Sequence, residues 1–156
     1  MVDRKLSDLP AASAPTGSEL LYAVQAGADV KLTVTQIMQS PSPSVGVGYA
    51  TGAGGTVVQD TSRSTGVTLN TITGQITTTA DSLAGLAIAA FVVTNSRVAA
   101  TDVIILSKVS GDADTSCWVS TVGAGSFTIS LRNNDAVAAD TTAMVINFAV
   151  IKGVTG

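Results

Sequence analysis

Apolar and polar positions alternate through most of the chain after residue 55. Phe127, Ile129 and Leu131 are separated by Thr128 and Ser130 and flanked by Ser126 and Arg132. This period of two puts one side of a strand in a core and the other in water. Cys117 to Val122 precedes that run across Gly123-Ala124-Gly125, and the two predict a hairpin. Comparable runs predict strands at Val57–Gln59, Gly66–Leu69, Gln75–Thr79, Ile88–Thr94, Val103–Val109 and Met144–Ile151. Eight short strands with turns between them predict an all-β fold, an antiparallel β-sandwich or jelly-roll-like domain. Helical periodicity is confined to Ala84–Ala90, and even there Gly85 and the following Phe91-Val92-Val93 favour a strand.

Two of these strands are apolar in both phases of the alternation: Val103-Ile104-Ile105-Leu106, and Met144 to Ile151 apart from Asn147. A two-layer sandwich buries one face of each strand, so the other face needs a cover, either a second subunit or the N-terminal segment. Ile104, Leu106, Met144, Ile146, Phe148 and Val150 are the candidate residues of an oligomer interface.

The organisation changes at Ser40-Pro41-Ser42-Pro43-Ser44, which favours extended backbone and can continue neither a helix nor a central strand. This divides the chain into an N-terminal segment, 1–40, a linker, 41–47, and a β domain, 48–156. In the N-terminal segment, Leu20–Gln25 and Val30–Val34 read as a hairpin around Ala26-Gly27-Ala28-Asp29, followed by one helical turn over Thr35–Gln39 with Thr35 as its N-cap. Pro10 and Pro15 keep residues 6–17 extended. So few large apolar residues do not offset the ordering entropy of about 1 to 2 kcal/mol per residue, so this segment is expected to gain full order by docking. Leu6, Leu9, Leu20, Tyr22, Leu32 and Val34 are the candidate docking contacts.

Composition sharpens the assembly reading. Charged residues are 12% of the chain, about half of the usual share of roughly 25%. Neutral Thr, Ser, Ala, Gly and Val surface suits subunit packing, because a charge at an interface core must be desolvated. The eight Lys and Arg are scattered in a chain of net charge −3, so no basic stripe exists to neutralise phosphates and no nucleic acid is expected as a partner. The longest apolar run, Leu83–Val93, falls short of the roughly 18 to 20 residues that span a bilayer. Residues 1–6 lack the apolar stretch of a signal peptide, and the expectation is a soluble protein made in a cytoplasm, with no membrane partner.

The chemistry is sparse. With no histidine, the chain builds neither a Ser-His-Asp nor a Cys-His nucleophile, and no His-based metal site. Acidic residues sit singly in turns, as at Asp60, Asp81, Asp102, Asp135 and Asp140, where Asp bonds local backbone. Cys117 beside Trp118 reads as a small buried apolar residue. The run Gly46 to Gly55 lacks the Lys-Ser/Thr pair of a phosphate loop and opens no helix. Asp112 and Asp114 alternate in a way that could meet a calcium ion, but Gly111-Asp112-Ala113-Asp114-Thr115 has the composition of an ordinary solvated hairpin tip. No catalytic residues, no metal and no cofactor are expected, and the chain is read as a non-enzyme.

Lys5-Leu6-Ser7-Asp8-Leu9-Pro10-Ala11-Ala12, Thr16-Gly17-Ser18-Glu19-Leu20-Leu21-Tyr22-Ala23-Val24-Gln25 and Val30-Lys31-Leu32-Thr33-Val34-Thr35-Gln36-Ile37 resemble the N-terminal segment of tailed-bacteriophage head-fibre and tail-fibre proteins. Gly48-Tyr49-Ala50-Thr51-Gly52-Ala53-Gly54-Gly55, Thr65-Gly66-Val67-Thr68-Leu69-Asn70, Gly74-Gln75-Ile76-Thr77 and Asn147-Phe148-Ala149-Val150-Ile151-Lys152 look like a small β domain of phage structural proteins. The resemblance implies that residues 1–40 attach the protein to the virion, through the major capsid protein or another virion protein. It also implies a capsid decoration or short head-fibre protein on the virion surface, assembled as a homotrimer. The alternative is a tail-fibre or collar component that binds a host surface glycan. The chain lacks a long repetitive shaft, which favours the compact head-decorating form. Of its aromatic residues only Trp118, Tyr22 and Tyr49 are open to a glycan, since Phe91, Phe127 and Phe148 occupy strand positions expected to be buried.

Overall fold

The computed structural model describes residues 20–25, 28–33, 49 and 52–154. The chain divides into two units, Met1–Gly48 and Tyr49–Gly156. In the first, β1 (Leu20–Gln25) and β2 (Ala28–Thr33) form an antiparallel hairpin. Gln25 pairs with Ala28, so the connection is two residues and β2 begins earlier than the polar pattern indicated. Leu20 lies opposite Thr33, Tyr22 opposite Lys31 and Leu32 opposite Leu21. The helical turn at Thr35–Gln39, the linker at 41–47, and Leu6, Leu9 and Val34 lie outside the described residues.

The second unit is a β-sandwich of two four-stranded sheets. The first sheet has the order β3 (Thr56–Val58), β5 (Thr73–Thr77), β10 (Val145–Ile151), β7 (Val103–Ser110). The second has the order β4 (Val67–Thr68), β6 (Ile88–Thr94), β9 (Ser126–Asn133), β8 (Thr115–Gly123). Successive strands cross from one sheet to the other, except within the β8–β9 hairpin, which gives a jelly-roll-like wrap. Pairing is antiparallel apart from the short outer strands, where β3 runs parallel to β5 and β4 parallel to β6. That departure from an all-antiparallel expectation follows from the wrap: β3 and β5 both traverse the first sheet in one direction, with β4 crossing between them.

The strands form where alternation predicts them, and local chemistry trims their ends. Thr78 leaves the ladder because its hydroxyl, not its carbonyl, accepts the Met144 N–H at 2.8 Å. Bulges interrupt β8 between Val119 and Thr121 and β7 opposite Val145/Ile146. In β8 the extra residue is Ser120, and it restores the phase so that Val122 again faces the core beside Cys117. The β8–β9 turn places Gly125 at φ 80°, a backbone region that favours glycine. At Gly74 the need is space: a Cβ there would lie 2.9 Å from the Gly55 carbonyl oxygen.

The core lies between the sheets. Ile76, Met144, Ile146, Phe148 and Val150 enter it from the first sheet and its approach, and Phe91, Val93, Phe127, Ile129 and Leu131 from the second. Phe127 and Phe148 meet across the layer with ring centroids 5.4 Å apart and planes tilted by 57°, an edge-biased geometry worth about 0.5–1.5 kcal/mol beyond area burial. Phe148→Ala is expected to lower the unfolding free energy by about 3–5 kcal/mol in urea denaturation, since the cavity cannot collapse between two hydrogen-bonded sheets. The exposed Val137→Ala is expected to change it by less than about 0.5 kcal/mol.

Candidate functional site

In β7 and β10 the structure assigns the two apolar phases to opposite sides. Ile146, Phe148 and Val150 are at most 2% exposed in the sandwich's own core, with Met144 buried and Ile104 and Leu106 packed against them. Four of the six residues named from sequence for an oligomer interface, Met144, Ile146, Phe148 and Val150, are therefore buried inside the chain's own core, and for them that assignment is corrected; Ile104 and Leu106 are partly buried against the same core. The outward phase is Val103, Ile105 and Ser107 on β7 and Val145, Asn147, Ala149 and Ile151 on β10. Alternation located both phases but carried no mark of which one meets the second sheet.

Across the whole outward face of the first sheet, from Thr56 and Val58 through Thr73, Gln75 and Thr77 to β10 and β7, no residue is charged. Val58, Val103, Ile105, Val109 and Ile151 are each about half or more exposed, Val58 at 67%. A central row is polar, where the Gln75 amide nitrogen donates to Asn147 Oδ1 at 3.0 Å with Ser107 next in register. Val109 stands out at the β7 bulge. Sequence gave no signal for Val58, whose exposure depends on the strand being outermost.

The outward face of the second sheet differs. Strand β6 presents Ile88, Ala90 and Val92, β9 presents Ser126, Thr128, Ser130 and Arg132, and β8 presents Ser116, Trp118 and Thr121. Trp118 is 39% exposed and directly opposite Ser130, which in turn lies opposite Ala90 and, although on the outward phase, is itself buried at 5% exposed. The expectation that Trp118 and Tyr49 are open while the three phenylalanines are buried matches these positions. Leu20, Tyr22 and Leu32, the docking candidates inside the described hairpin, hold the register positions given above.

Polar groups are buried at both ends of the sandwich and serve to close it. At one end Arg63 reaches Asp140 over 3.2 Å, with both side chains at most 3% exposed. Arg63 also donates to the carbonyls of Asp81, Asp140 and Thr142. Asp140 accepts from the Thr115 hydroxyl at 2.7 Å and the Thr142 N–H at 2.7 Å, while its own backbone bridges Leu83. At the other end buried Asp102 accepts from Ala99 N–H and from Lys152, and Asn95 Nδ2 donates to the Thr71 carbonyl. The Ala99 N–H, and then Lys152, hold the Asp102 carboxyl below its usual range.

The remaining chemistry is accounted for locally. The Lys108 ammonium donates to the carbonyls of Asp112 and Thr115, so a side-chain cation already occupies the inside of the Gly111–Thr115 loop. Among the described residues no three His, Cys, Asp or Glu side chains converge as metal ligands. Cys117 packs against the core, and burial pushes its thiol up, away from the reactive thiolate. In the described part of the glycine run Gly55 packs closely, a Cβ there coming within 2.9 Å of Leu69, whereas Gly52 has open space around it. An open cavity of about 310 Å³ lies beside it, lined by Gly52, Ala53, Asn70, Thr71, Ile72 and Arg97. Among the described residues no helix is long and apolar enough to cross a membrane. No family model, no curated protein and no solved structure matches the chain.

Two predictions test the closing groups. Asp140→Ala leaves Arg63 as an uncompensated buried cation and is expected to cost about 3–5 kcal/mol of stability in urea denaturation. Asp102, with its folded pKa depressed, contributes stability that is fully present above its unfolded value of about 3.9 and is lost as pH falls through the lower folded value. Asp102→Asn should therefore lower the thermal midpoint at pH 7 and make it fall less steeply below pH about 4.

Proposed function

We propose that the chain is a non-enzymatic structural protein of a tailed-bacteriophage virion, decorating the capsid as a homotrimer held to the major capsid protein or another virion protein through residues 1–40. The observation that carries the assembly part is the uncharged, half-apolar outward face of the first sheet. A monomer gains solubility from surface charge. A subunit that is covered by its neighbours gains nothing from it there and is spared the desolvation cost. The contiguous aliphatic positions on β7 and β10 are larger in extent than scattered surface hydrophobes. The virion part rests on the resemblance of Lys5–Ala12, Thr16–Gln25 and Val30–Ile37 to fibre attachment segments, and the hairpin β1–β2 is the kind of element that adds strands to a partner's sheet edge.

Three arms on one trimer dock by avidity, since after the first binds the others act at high effective concentration. The virion surface is then the place of action, and neither nucleic acid, membrane, metal nor cofactor has a part in it.

Light scattering on the purified full chain at micromolar concentration is expected to give a trimer. Ile105→Asp, which puts an unpaired carboxylate into the interface, is expected to weaken association at least tenfold, about 1.4 kcal/mol or more. A chain starting at Ser44 should stay folded and trimeric yet fail to bind particles stripped of the native protein. A stable monomeric full chain would sink the assembly reading. Undiminished particle binding by the shortened chain would move the attachment surface to the β domain.

A further inference from the structure

We propose that the cavity of about 310 Å³ at the Asp102 end of the sandwich is a binding site for a small organic anion, a carboxylate or a phosphate monoester, with Arg97 as its charged anchor. The site is independent of how copies assemble and of what the chain is mounted on. Its volume stands at the low end of ligand sites, which run from about 300 to 1,000 Å³.

The two walls of the cavity are tied to each other. Asn70, Thr71 and Ile72 lie on the connection between β4 and β5, and Arg97 lies on the one between β6 and β7. The Leu69 N–H donates to the Thr94 carbonyl at 3.0 Å, the Ser96 N–H to Asn70 Oδ1 at 2.8 Å, and Asn95 Nδ2 to the Thr71 carbonyl at 2.7 Å. A site held in this way exists before its ligand arrives, so little of the binding energy goes into ordering it.

Acceptors and donors are used unevenly around the cavity. The carbonyls of Thr71, Ile72 and Arg97 already accept, from Asn95 Nδ2, the Val150 N–H and the Lys152 ammonium respectively. Donors are left over. Among the described residues the backbone N–H groups of Ala53, Asn70 and Ile72 find no acceptor. The Ser96 bond holds the Asn70 amide by its oxygen, which leaves Nδ2 as the open end. Backbone N–H groups require a partner, and the group that answers several donors at once is an oxyanion.

Charge points the same way. No carboxylate lines the cavity, and among the described residues the Arg97 guanidinium forms no ion pair. Asp102, the carboxylate of the closing network at this end, is taken by the Ala99 and Gly153 N–H groups and by Lys152. The planar fork of a guanidinium meets two oxygens of a carboxylate or phosphate together. Ala53 and Ile72 give a short carbon body something apolar to lie against.

The full-length protein should be titrated by calorimetry with inorganic phosphate, phenyl phosphate, succinate and citrate, and with uncharged succinamide as the control. Sodium chloride at about 0.15 M screens diffuse attraction between exposed charges. At least one anion is expected to bind saturably with a dissociation constant of about 1 mM or tighter, and whether the phosphates or the carboxylates lead tells which headgroup the site takes. Arg97→Gln and Asn70→Asp should each weaken that binding at least tenfold. Asn70→Asp keeps an oxygen for the Ser96 N–H, and an unchanged thermal midpoint in both variants checks that the fold is kept. Arg132→Gln, which removes an exposed arginine from the second sheet, should leave binding as it is. The proposal is overturned if all four anions fail to bind, if succinamide binds as well as they do, or if binding survives Arg97→Gln or Asn70→Asp. An equal loss in Arg132→Gln assigns the signal to arginines in general and overturns it too.

Discussion

The layer between the two sheets decides everything else about the β domain. Once Phe127 and Phe148 meet across it, with Ile129, Leu131, Ile146 and Val150 beside them, the pleat leaves no freedom for the other phase of each strand. Val103, Ile105 and Ile151 must face out because Ile104, Leu106 and Val150 face in. The exposed aliphatic surface is thus a geometric consequence of core registry in strands that carry apolar residues in both phases. A mesh of Phe, Ile and Leu this close-packed also explains how a chain so poor in charge still specifies one arrangement: a slip of one residue on β9 would replace Phe127, Ile129 and Leu131 by Thr128, Ser130 and Arg132 in the core.

The sandwich has open ends, and they are closed by polar side chains. Backbone leaving the last ladder bond needs partners, and apolar residues cannot supply them. Arg63 answers this at one end by bonding three carbonyls from two different loops, so a single long side chain gathers segments 18 and 77 residues away. Asp140 is its counter-charge and ties in Thr115 and Leu83. Asn133 repeats the device, donating to the Leu83 and Ala138 carbonyls. At the far end Asp102 and Asn95 do the same on a smaller scale, with Lys152 partly open to water. These are structural groups in protected places, and their burial reflects loop closure.

Much of the fold was legible from sequence because strand signals are local. Ile88–Thr94 matches its predicted span, and the β8–β9 hairpin forms across the glycines that marked it. What was not legible is long-range. Asp102 and Asp140 were read as ordinary turn residues, and both do bond nearby backbone, Ala99 N–H and Thr142 N–H respectively. Their second partners, Lys152 and Arg63, lie 50 and 77 residues away and leave no mark in a local window. The outward faces fall between these cases. That β7 and β10 carry a surplus apolar face follows from the pattern alone, but which residues form it depends on whether odd or even positions meet the second sheet. The shortness of β3 and β4 and their parallel pairing come from the wrap, which no single strand encodes.

The two outward faces share a shortage of charge yet divide the chemistry between them. On the first sheet the uncharged positions are filled by aliphatic side chains and a central amide row; on the second they are filled by hydroxyls around one indole, with aliphatics confined to β6. Aliphatic surface is stabilised by contact with more aliphatic surface, without regard to direction. A hydroxyl row gains little from such contact, because each buried hydroxyl must find a geometrically matched partner. The two faces therefore set different demands on any cover: aliphatic contact alone suffices on the first, whereas the second requires partners that answer its hydroxyls one by one.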